Sequence, residues 1–380
     1  MQNRAIVHLD LDTFFVSVER LKNSSFNDKP LIIGGLSDRG VVASCSYEAR
    51  AFGVRSAMPV KMAKYLCPDA IFLRGDMDAY SKYSNDVTNI IAEKSPAFEK
   101  ASIDEHYIDI TGMDQFYGNL KWSHELSKAI VKETGLPISF GLSINKTVSK
   151  VATGESKPHG EKEVLAGTEK LFLAPLSIRK IPMVGEKTYS MLRNMGIEKV
   201  KTLQEMPMDL LHKVMGENGS TLWKKANGID NNPVVPYSEQ KSMSKENTFD
   251  KDSIDIDRLH SVIAKMTEQL AYQLRSSNKL TSCLTIKIRY SDFNTYTQQV
   301  KIPYTSADHI LIPKAKEIFD KLFAKRLLVR LIGVKFSGLV GGNQQINLFE
   351  DTAELYNLYQ SMDKIRLRFG EDKIGRCIPV

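Results

Sequence analysis

At 380 residues the chain is long enough for a sizeable core and about two to four domains. Lysine and arginine total 52 against 45 aspartate and glutamate, a net charge of +7 that favours a polyanionic partner. No apolar run approaches the ~18 residues of a membrane span, and no basic-then-apolar leader opens the chain, so a soluble cytoplasmic protein is expected. The cysteines at 45, 67, 283 and 377 form no Cys-x-x-Cys pair, which excludes a zinc cluster and suits a reducing compartment.

Residues 5–12 alternate apolar positions 5, 7, 9 and 11 with Ile6, His8, Asp10 and Asp12. Strand parity therefore puts Asp10 and Asp12 on one face. A helix follows over 13–21, with Phe14, Val18 and Leu21 on one side. Segments 30–35 and 40–44 read as short strands around a Gly-rich turn, and 47–52 and 59–65 as short helices. The whole block 12–75 reads as a small insert, and a helix then spans 78–93.

Ala101 and Ile103 before Asp104-Glu105, and Tyr107, Ile108 and Ile110 after it, predict two strands joined in a tight hairpin. Adjacent strand residues point to opposite faces, so these two acids serve one site only if the chain turns at them. A helix over 122–133, a strand over 137–144 and a helix over 145–156 with Asn145 as N-cap complete the unit. Without the insert the order is β-α-β-β-α-β, the ferredoxin-like pattern, which brings Asp10 beside the Asp104-Glu105 hairpin. Three clustered carboxylates repel unless a cation neutralises them, and an oxygen-only set suits Mg²⁺ or Mn²⁺ rather than zinc.

From about residue 167 the chain changes to short helices. Residues 181–197 read as two of them joined by a Gly turn, a helix-hairpin-helix or an ordinary αα-turn. In the first reading Val184, Gly185 and Lys187 face a DNA phosphate. Residues 230–240 read as a linker. The last domain, to about 340, alternates strands and helices. In it Leu284, Ile286, Ile288 and Tyr290 face one way, and Thr285, Lys287 and Arg289 the other. That basic face suits a phosphate backbone, or is simply solvated. In the tail Leu355, Leu358, Tyr359, Met362, Ile365 and Phe369 share one helical face.

Four segments occur in a telling order: Asp10-Leu-Asp-Thr-Phe-Phe15, Ser44-Cys-Ser-Tyr-Glu-Ala-Arg-Ala-Phe-Gly-Val54, Ser102-Ile-Asp-Glu105 and Ser156-Lys-Pro-His-Gly160. Together they resemble the Y-family, translesion DNA polymerases, most closely the bacterial DNA polymerase IV branch. Two departures from that pattern are His106, where a small residue is usual, and Met183, where glycine is usual.

The resemblance implies an α+β multidomain fold: palm (1–11 and 76–166), fingers (12–75), helix-hairpin-helix thumb (167–232), linker (233–241), α/β little finger (242–342) and tail (343–380). It implies that Asp10, Asp104 and Glu105, with the Leu11 carbonyl, hold two Mg²⁺, for which Mn²⁺ can substitute; Asp12 is read as an acid that serves the structure or supports the ligands rather than binding the metal itself. Tyr47, Arg50 and Lys157, with Ser44, would grip the incoming triphosphate, and Phe15 would exclude a 2′-hydroxyl, with Phe14 left to the core. The partners implied are primer-template DNA and a dNTP, the chain acting as a monomer. Gln345-Ile-Asn-Leu348-Phe349 resembles the peptide that bacterial polymerases offer to a sliding clamp. The readings that compete are another palm enzyme, such as a nucleotide cyclase, and a non-catalytic DNA- or clamp-binding scaffold.

Overall fold

The computed structural model describes residues 4–113, 118–323, 327–342, 352–371 and 373–375. The chain divides into two compact units, Met1–Ser238 and Glu239–Val380.

The first unit opens with β1 (Ile6–Leu11) and α1 (Phe14–Lys22). Then come β2 (Leu31–Gly34), β3 (Val42–Cys45), α2 (Tyr47–Ala51), α3 (Val60–Leu66) and β4 (Ile71–Leu73). Next are α4 (Met77–Lys94), β5 (Phe98–Lys100), β6 (Glu105–Asp109), α5 (Asn119–Thr134), β7 (Ile138–Ser143), α6 (Lys146–Ser156) and β8 (Glu161–Glu163). The main sheet has the order β5-β6-β1-β7-β8. Its first four strands are antiparallel neighbours in the ferredoxin-like arrangement.

Burial exceeds what alternation alone implies, because β1 is covered on both faces. Val7, Leu9 and Leu11 join a core with Val87, Ile91, Leu126 and Ile130 from α4 and α5. On the opposite face Ile6 and His8 are also buried, His8 Nδ1 lying 2.9 Å from Thr153 Oγ1 of α6. Asn145 caps α6 as expected, accepting from the Val148 N–H at 3.0 Å. Gly141 lets that helix lie close to β7: a Cβ there would come within 2.2 Å of the Ser149 carbonyl oxygen.

The segment after β1 builds its own three-stranded sheet, β3-β2-β4, but does not own its whole core. Phe14, Val16, Val18, Leu31 and Ile33 pack into the core of the main sheet. Only Ile32, Val42, Cys45, Ala49 and their neighbours form a separate cluster, in which Cys45 is a buried packing residue. One strand boundary differs from expectation: β5 ends at Lys100 and residues 101–104 form the turn. The Ala101 N–H donates to the Glu105 carbonyl at 3.0 Å, closing the hairpin.

Five short helices follow: α7 (Glu169–Leu173), α8 (Glu186–Asn194), α9 (Val200–Glu205), α10 (Met208–Met215) and α11 (Glu217–Ala226). Their core includes Val148, Val151 and Ala152, so α6 joins the sheet to the helical part. The segment read as a linker is fastened at its start. Asp230 accepts from the Thr147 N–H and hydroxyl at 3.1 and 2.7 Å, and Glu99 accepts from the Val235 N–H at 2.8 Å.

The second unit consists of β9 (Ser242–Ser253), α12 (Ile256–Ser276), β10 (Lys279–Tyr290), β11 (Thr295–Thr305), α13 (Asp308–Leu322), β12 (Val329–Gly341) and α14 (Thr352–Phe369). Its sheet has the order β11-β10-β12-β9, and Leu284, Ile286, Ile288 and Tyr290 are buried with residues of α12 and α13. The tail helix α14 packs only part of its apolar face on this unit. Tyr359 and Met362 are buried, but Leu358, Ile365 and Phe369 are exposed. The helix is seated by charge instead: Arg366 pairs with Glu268 at 2.5 Å and Asp363 with Arg275 at 2.6 Å.

Candidate active site

Asp10 stands directly opposite Glu105 in the β1–β6 ladder, and the Leu11 N–H donates to the Asp104 carbonyl at 3.1 Å. Side chains facing across an antiparallel pair lie roughly 5 Å apart at Cβ. Acids separated by more than ninety positions in the chain thus meet at one sheet edge. Ser102 shapes the turn, donating to Asp104 Oδ1 at 2.6 Å and accepting from the Glu105 N–H at 3.1 Å. His106 points away from the acids, with Nε2 at 3.0 Å from Thr88 Oγ1 on α4, so this departure from the family pattern does not touch the site.

Two lysines answer the acids. Lys157 Nζ lies 2.5 Å from Asp10 Oδ1 and 3.7 Å from Asp12 Oδ1. Lys150 Nζ lies 2.5 Å from both oxygens of Glu105, whose Oε2 is also 3.9 Å from His8 Nε2. Burial pushes the Asp10 carboxyl up to about 6, against the pull of Lys157 and with a further push from Glu105 and Asp104. Burial opposes ionisation of Glu105 too, but His8 and Lys150 outweigh it and bring that group down to about 2.

Asp12 is almost fully buried at 1 % exposure. Its Oδ2 accepts from the Ser139 hydroxyl and the His159 N–H, both at 2.8 Å, and so fastens the turn that carries Lys157. That turn contains a cis Lys157-Pro158 peptide. It also requires glycine at 160, where a Cβ would fall 1.8 Å from the Ser156 carbonyl oxygen.

Tyr47 and Arg50 stand together on α2, the guanidinium carbon 5.0 Å from the centre of the Tyr47 ring. The Tyr47 hydroxyl, Arg50 Nε and Asp12 Oδ1 are buried without hydrogen-bond partners. Burial and then the charge of Asp12 raise the Tyr47 phenol to about 12, with Asp10 adding to the effect, which ties Tyr47 to the same acids. Ser44 is half-buried on β3. Phe15 is half-buried and stacks flat on Tyr80, ring centres 4.3 Å apart and planes at 11°, whereas Phe14 is in the core. The Tyr80 hydroxyl donates to Glu19 at 2.8 Å and anchors that support.

The donor set fits a hard divalent cation: three carboxylates at one edge, no sulfur, and a buried Asp12 oxygen without a hydrogen bond beside them. As placed, Asp10 and Glu105 are engaged by lysine and Asp104 by the Ser102 hydroxyl, and among the described residues no three acidic, histidine or cysteine side chains form a ready-made cage.

A groove of about 430 Å³ is lined by Asp10 and Lys150 and by the 179–185 segment. In that segment the Val184 N–H donates to the Ile181 carbonyl and the Gly185 N–H to the Met183 carbonyl, both at 3.2 Å. Gly185 gives α8 no side-chain cap. The first-turn amides of a helix, here those of Glu186 and Lys187, have no partner within it. Met183 has φ 83, the left-handed region that explains why glycine is usual there. In the second unit Lys287 pairs with Glu246 at 2.8 Å, reaching across Gly333, and Arg289 Nε donates to Thr295 at 2.9 Å. Residues 345–349 lie outside the described residues.

Sequence reasoning overlooked Lys150, Ser102, Ser139 and Tyr80. The first had a signal: Lys146 and Lys150 stand four apart and so share one side of α6.

The profile of the impB/mucB/samB family matches residues 9–154, and that of its C-terminal domain residues 240–348. A profile described as the DNA polymerase-iota thumb domain matches residues 179–230. A DNA polymerase IV from Dehalococcoides mccartyi is 38% identical over 374 residues, 97% of this chain and 96% of that one. The DNA polymerase IV of Halorhodospira halophila is 36% identical over 352 residues, covering 91% of this chain and 98% of its own. Among solved structures, a Y-family DNA polymerase chimera of Dbh and Dpo4 superposes with a TM-score of 0.80 at 26% identity, covering 89% of this chain and 100% of that one. DinB from Sulfolobus solfataricus does so with a TM-score of 0.60 at 25% identity and the same coverage. A palm edge of three converging acids, a helical thumb, a little-finger sheet and relatives matched end to end agree: the chain belongs to the DNA polymerase IV branch of the Y-family translesion DNA polymerases.

Proposed function

We propose that this DNA-directed DNA polymerase adds deoxynucleotides to a primer 3′-hydroxyl at the β1–β6 edge, with Asp10, Asp104 and Glu105 as the carboxylates that hold two Mg²⁺, aided by the Leu11 carbonyl. Mn²⁺ would take the same oxygen donors. The observation that carries this reading is the Asp10–Glu105 cross-strand pair with Asp104 at the adjoining turn. When bound, the metal pair would acidify the attacking hydroxyl and neutralise the departing pyrophosphate.

The remaining work falls to the chain. Tyr47, Arg50 and Lys157 bind the triphosphate: the phenol and the guanidinium fork share a helix face and hold unpartnered polar atoms, and Lys157 stands on a turn that Asp12 fixes. Ser44 adds a hydroxyl. Phe15, backed by the stacked Tyr80, forms a flat floor under the sugar and rejects a 2′-hydroxyl by clash. The amides at the start of α8, near Val184, Gly185 and Lys187, and the face bearing Lys287 and Arg289 hold duplex phosphates. Gln345, Leu348 and Phe349 bind a sliding clamp. The enzyme works as a monomer in the bacterial cytoplasm, with low processivity and low fidelity. Among the described residues no helix is long and apolar enough to cross a membrane.

The test is primer extension with Mg²⁺ and all dNTPs, beside an Asp104→Ala/Glu105→Ala variant. Stepwise, template-matched extension lost in the variant supports the reading. Pyrophosphate release from a nucleotide without extension would support the cyclase-like alternative, and DNA binding without turnover the scaffold.

A further inference from the structure

Lys150 has no part in the function just described, yet it sits as close to the acids as any side chain. Its Nζ is 2.5 Å from both Glu105 oxygens, and the two side chains are 33% and 22% exposed. Its position is built in, because the close approach of α6 to β7 at Gly141 fixes where that helix face lies. Lys157, at the end of the same helix, holds Asp10 at 2.5 Å. Each of the two facing carboxylates therefore has its own lysine, and no ready-made metal cage stands among the described residues. Lys157 has a second destination in the triphosphate. Lys150 is left with Glu105 alone, beside the groove that opens next to Asp10.

We propose that Lys150 is a resident counter-ion of Glu105, which stabilises the site when no metal is bound and sets its metal affinity because an incoming cation must displace it. The proposal rests on the assignment of Asp10, Asp104 and Glu105 as metal ligands. Lysine suits this role because its ammonium is a compact charge on a flexible four-carbon stem and can swing aside without backbone movement. A cation that has to displace the ammonium binds more weakly by the strength of the ion pair it breaks. For a partly exposed pair that strength corresponds to about three- to fivefold in binding.

The experiment titrates the full-length protein with Mn²⁺ alone and follows free Mn²⁺ by electron paramagnetic resonance, with thermal melts in chelator and in Mn²⁺. Lys150→Met and Lys150→Gln are expected to bind Mn²⁺ about three- to fivefold more tightly. Both variants should melt below the parent in chelator and gain more on adding Mn²⁺, while Lys150→Arg, which keeps the charge in a fork that pairs at least as well with Glu105, should bind Mn²⁺ no more tightly than the parent. Unchanged or weaker Mn²⁺ binding by the Met and Gln variants, at a site that Asp10→Asn/Glu105→Gln abolishes, would overturn the counter-ion role alone. Equal Mn²⁺ binding by Asp10→Asn/Glu105→Gln and the parent would overturn the metal-ligand assignment itself.

Discussion

Replacing Asp12 by alanine separates stability from substrate grip. The carboxylate is 1 % exposed and accepts two hydrogen bonds, from the Ser139 hydroxyl and the His159 N–H, each at 2.8 Å. Bonds to a buried charged acceptor contribute about 1.5–3 kcal/mol apiece, so their loss together costs roughly 3–6 kcal/mol. Part is offset, because Asp12 Oδ1 is buried with no hydrogen bond and only Lys157 Nζ 3.7 Å away, and its desolvation is relieved in the variant. The net expectation is a loss of about 2–4 kcal/mol in urea unfolding. The His159 N–H and Lys157 share one turn, so loosening it should also raise the KM for dNTP by about tenfold with a smaller change in kcat. Asp12→Asn retains one oxygen acceptor and should fall between the two. An alanine variant within about 0.5 kcal/mol of the parent would refute the energetic argument. Lost stability with an unchanged KM would refute the link between this turn and the nucleotide.

Phe15→Ala should admit ribonucleotides, read as ribonucleotide incorporation in single-turnover extension, and Tyr80→Ala should do so more weakly because it removes only the support beneath the ring; unchanged sugar selectivity in both would discard the assignment. Met183→Gly should stabilise the first unit by about 0.5–1 kcal/mol, since φ 83 strains a side-chain-bearing residue by more than the extra chain entropy of glycine costs; a lower melting temperature would contradict it. Leu348→Ala/Phe349→Ala should abolish retention on immobilised sliding clamp while leaving extension on a short primer intact, and undiminished retention would rule the peptide out.

Much of the site was legible because its signals are local. Asp10 and Asp104-Glu105 sit where β-runs end, and the β-α-β-β-α-β order alone placed the two strands side by side. The signals that failed depend on what covers an element. Parity put Asp10 and Asp12 on one face of β1 but left open whether the strand is buried or half-buried; α6 lies on the second face, so Ile6 and His8 are buried as well. The apolar positions of α14 left open whether the helix packs on the protein or on a partner, and Arg366 and Asp363 seat it through partners on α12, nearly a hundred residues earlier. Spacing cannot foresee such partners. Tyr80 lies on the same side of the helix read over 78–93 as Tyr83, Val87, Ile90 and Ile91, and nothing in that segment revealed that it would lie flat beneath Phe15. The insert likewise read as a separate block, although α1 and one side of β2 complete the core of the main sheet.

The central claim is that the β1–β6 edge is where the divalent cations bind. Anomalous scattering from crystals of the protein grown with primer-template, a non-hydrolysable dNTP and Mn²⁺ tests it most directly. The account predicts manganese peaks within ligand distance, about 2.0–2.4 Å, of Asp10, Asp104 and Glu105 oxygens, with Lys150 drawn off Glu105. Manganese bound elsewhere, with Lys150 and Lys157 still paired to those carboxylates, would contradict it.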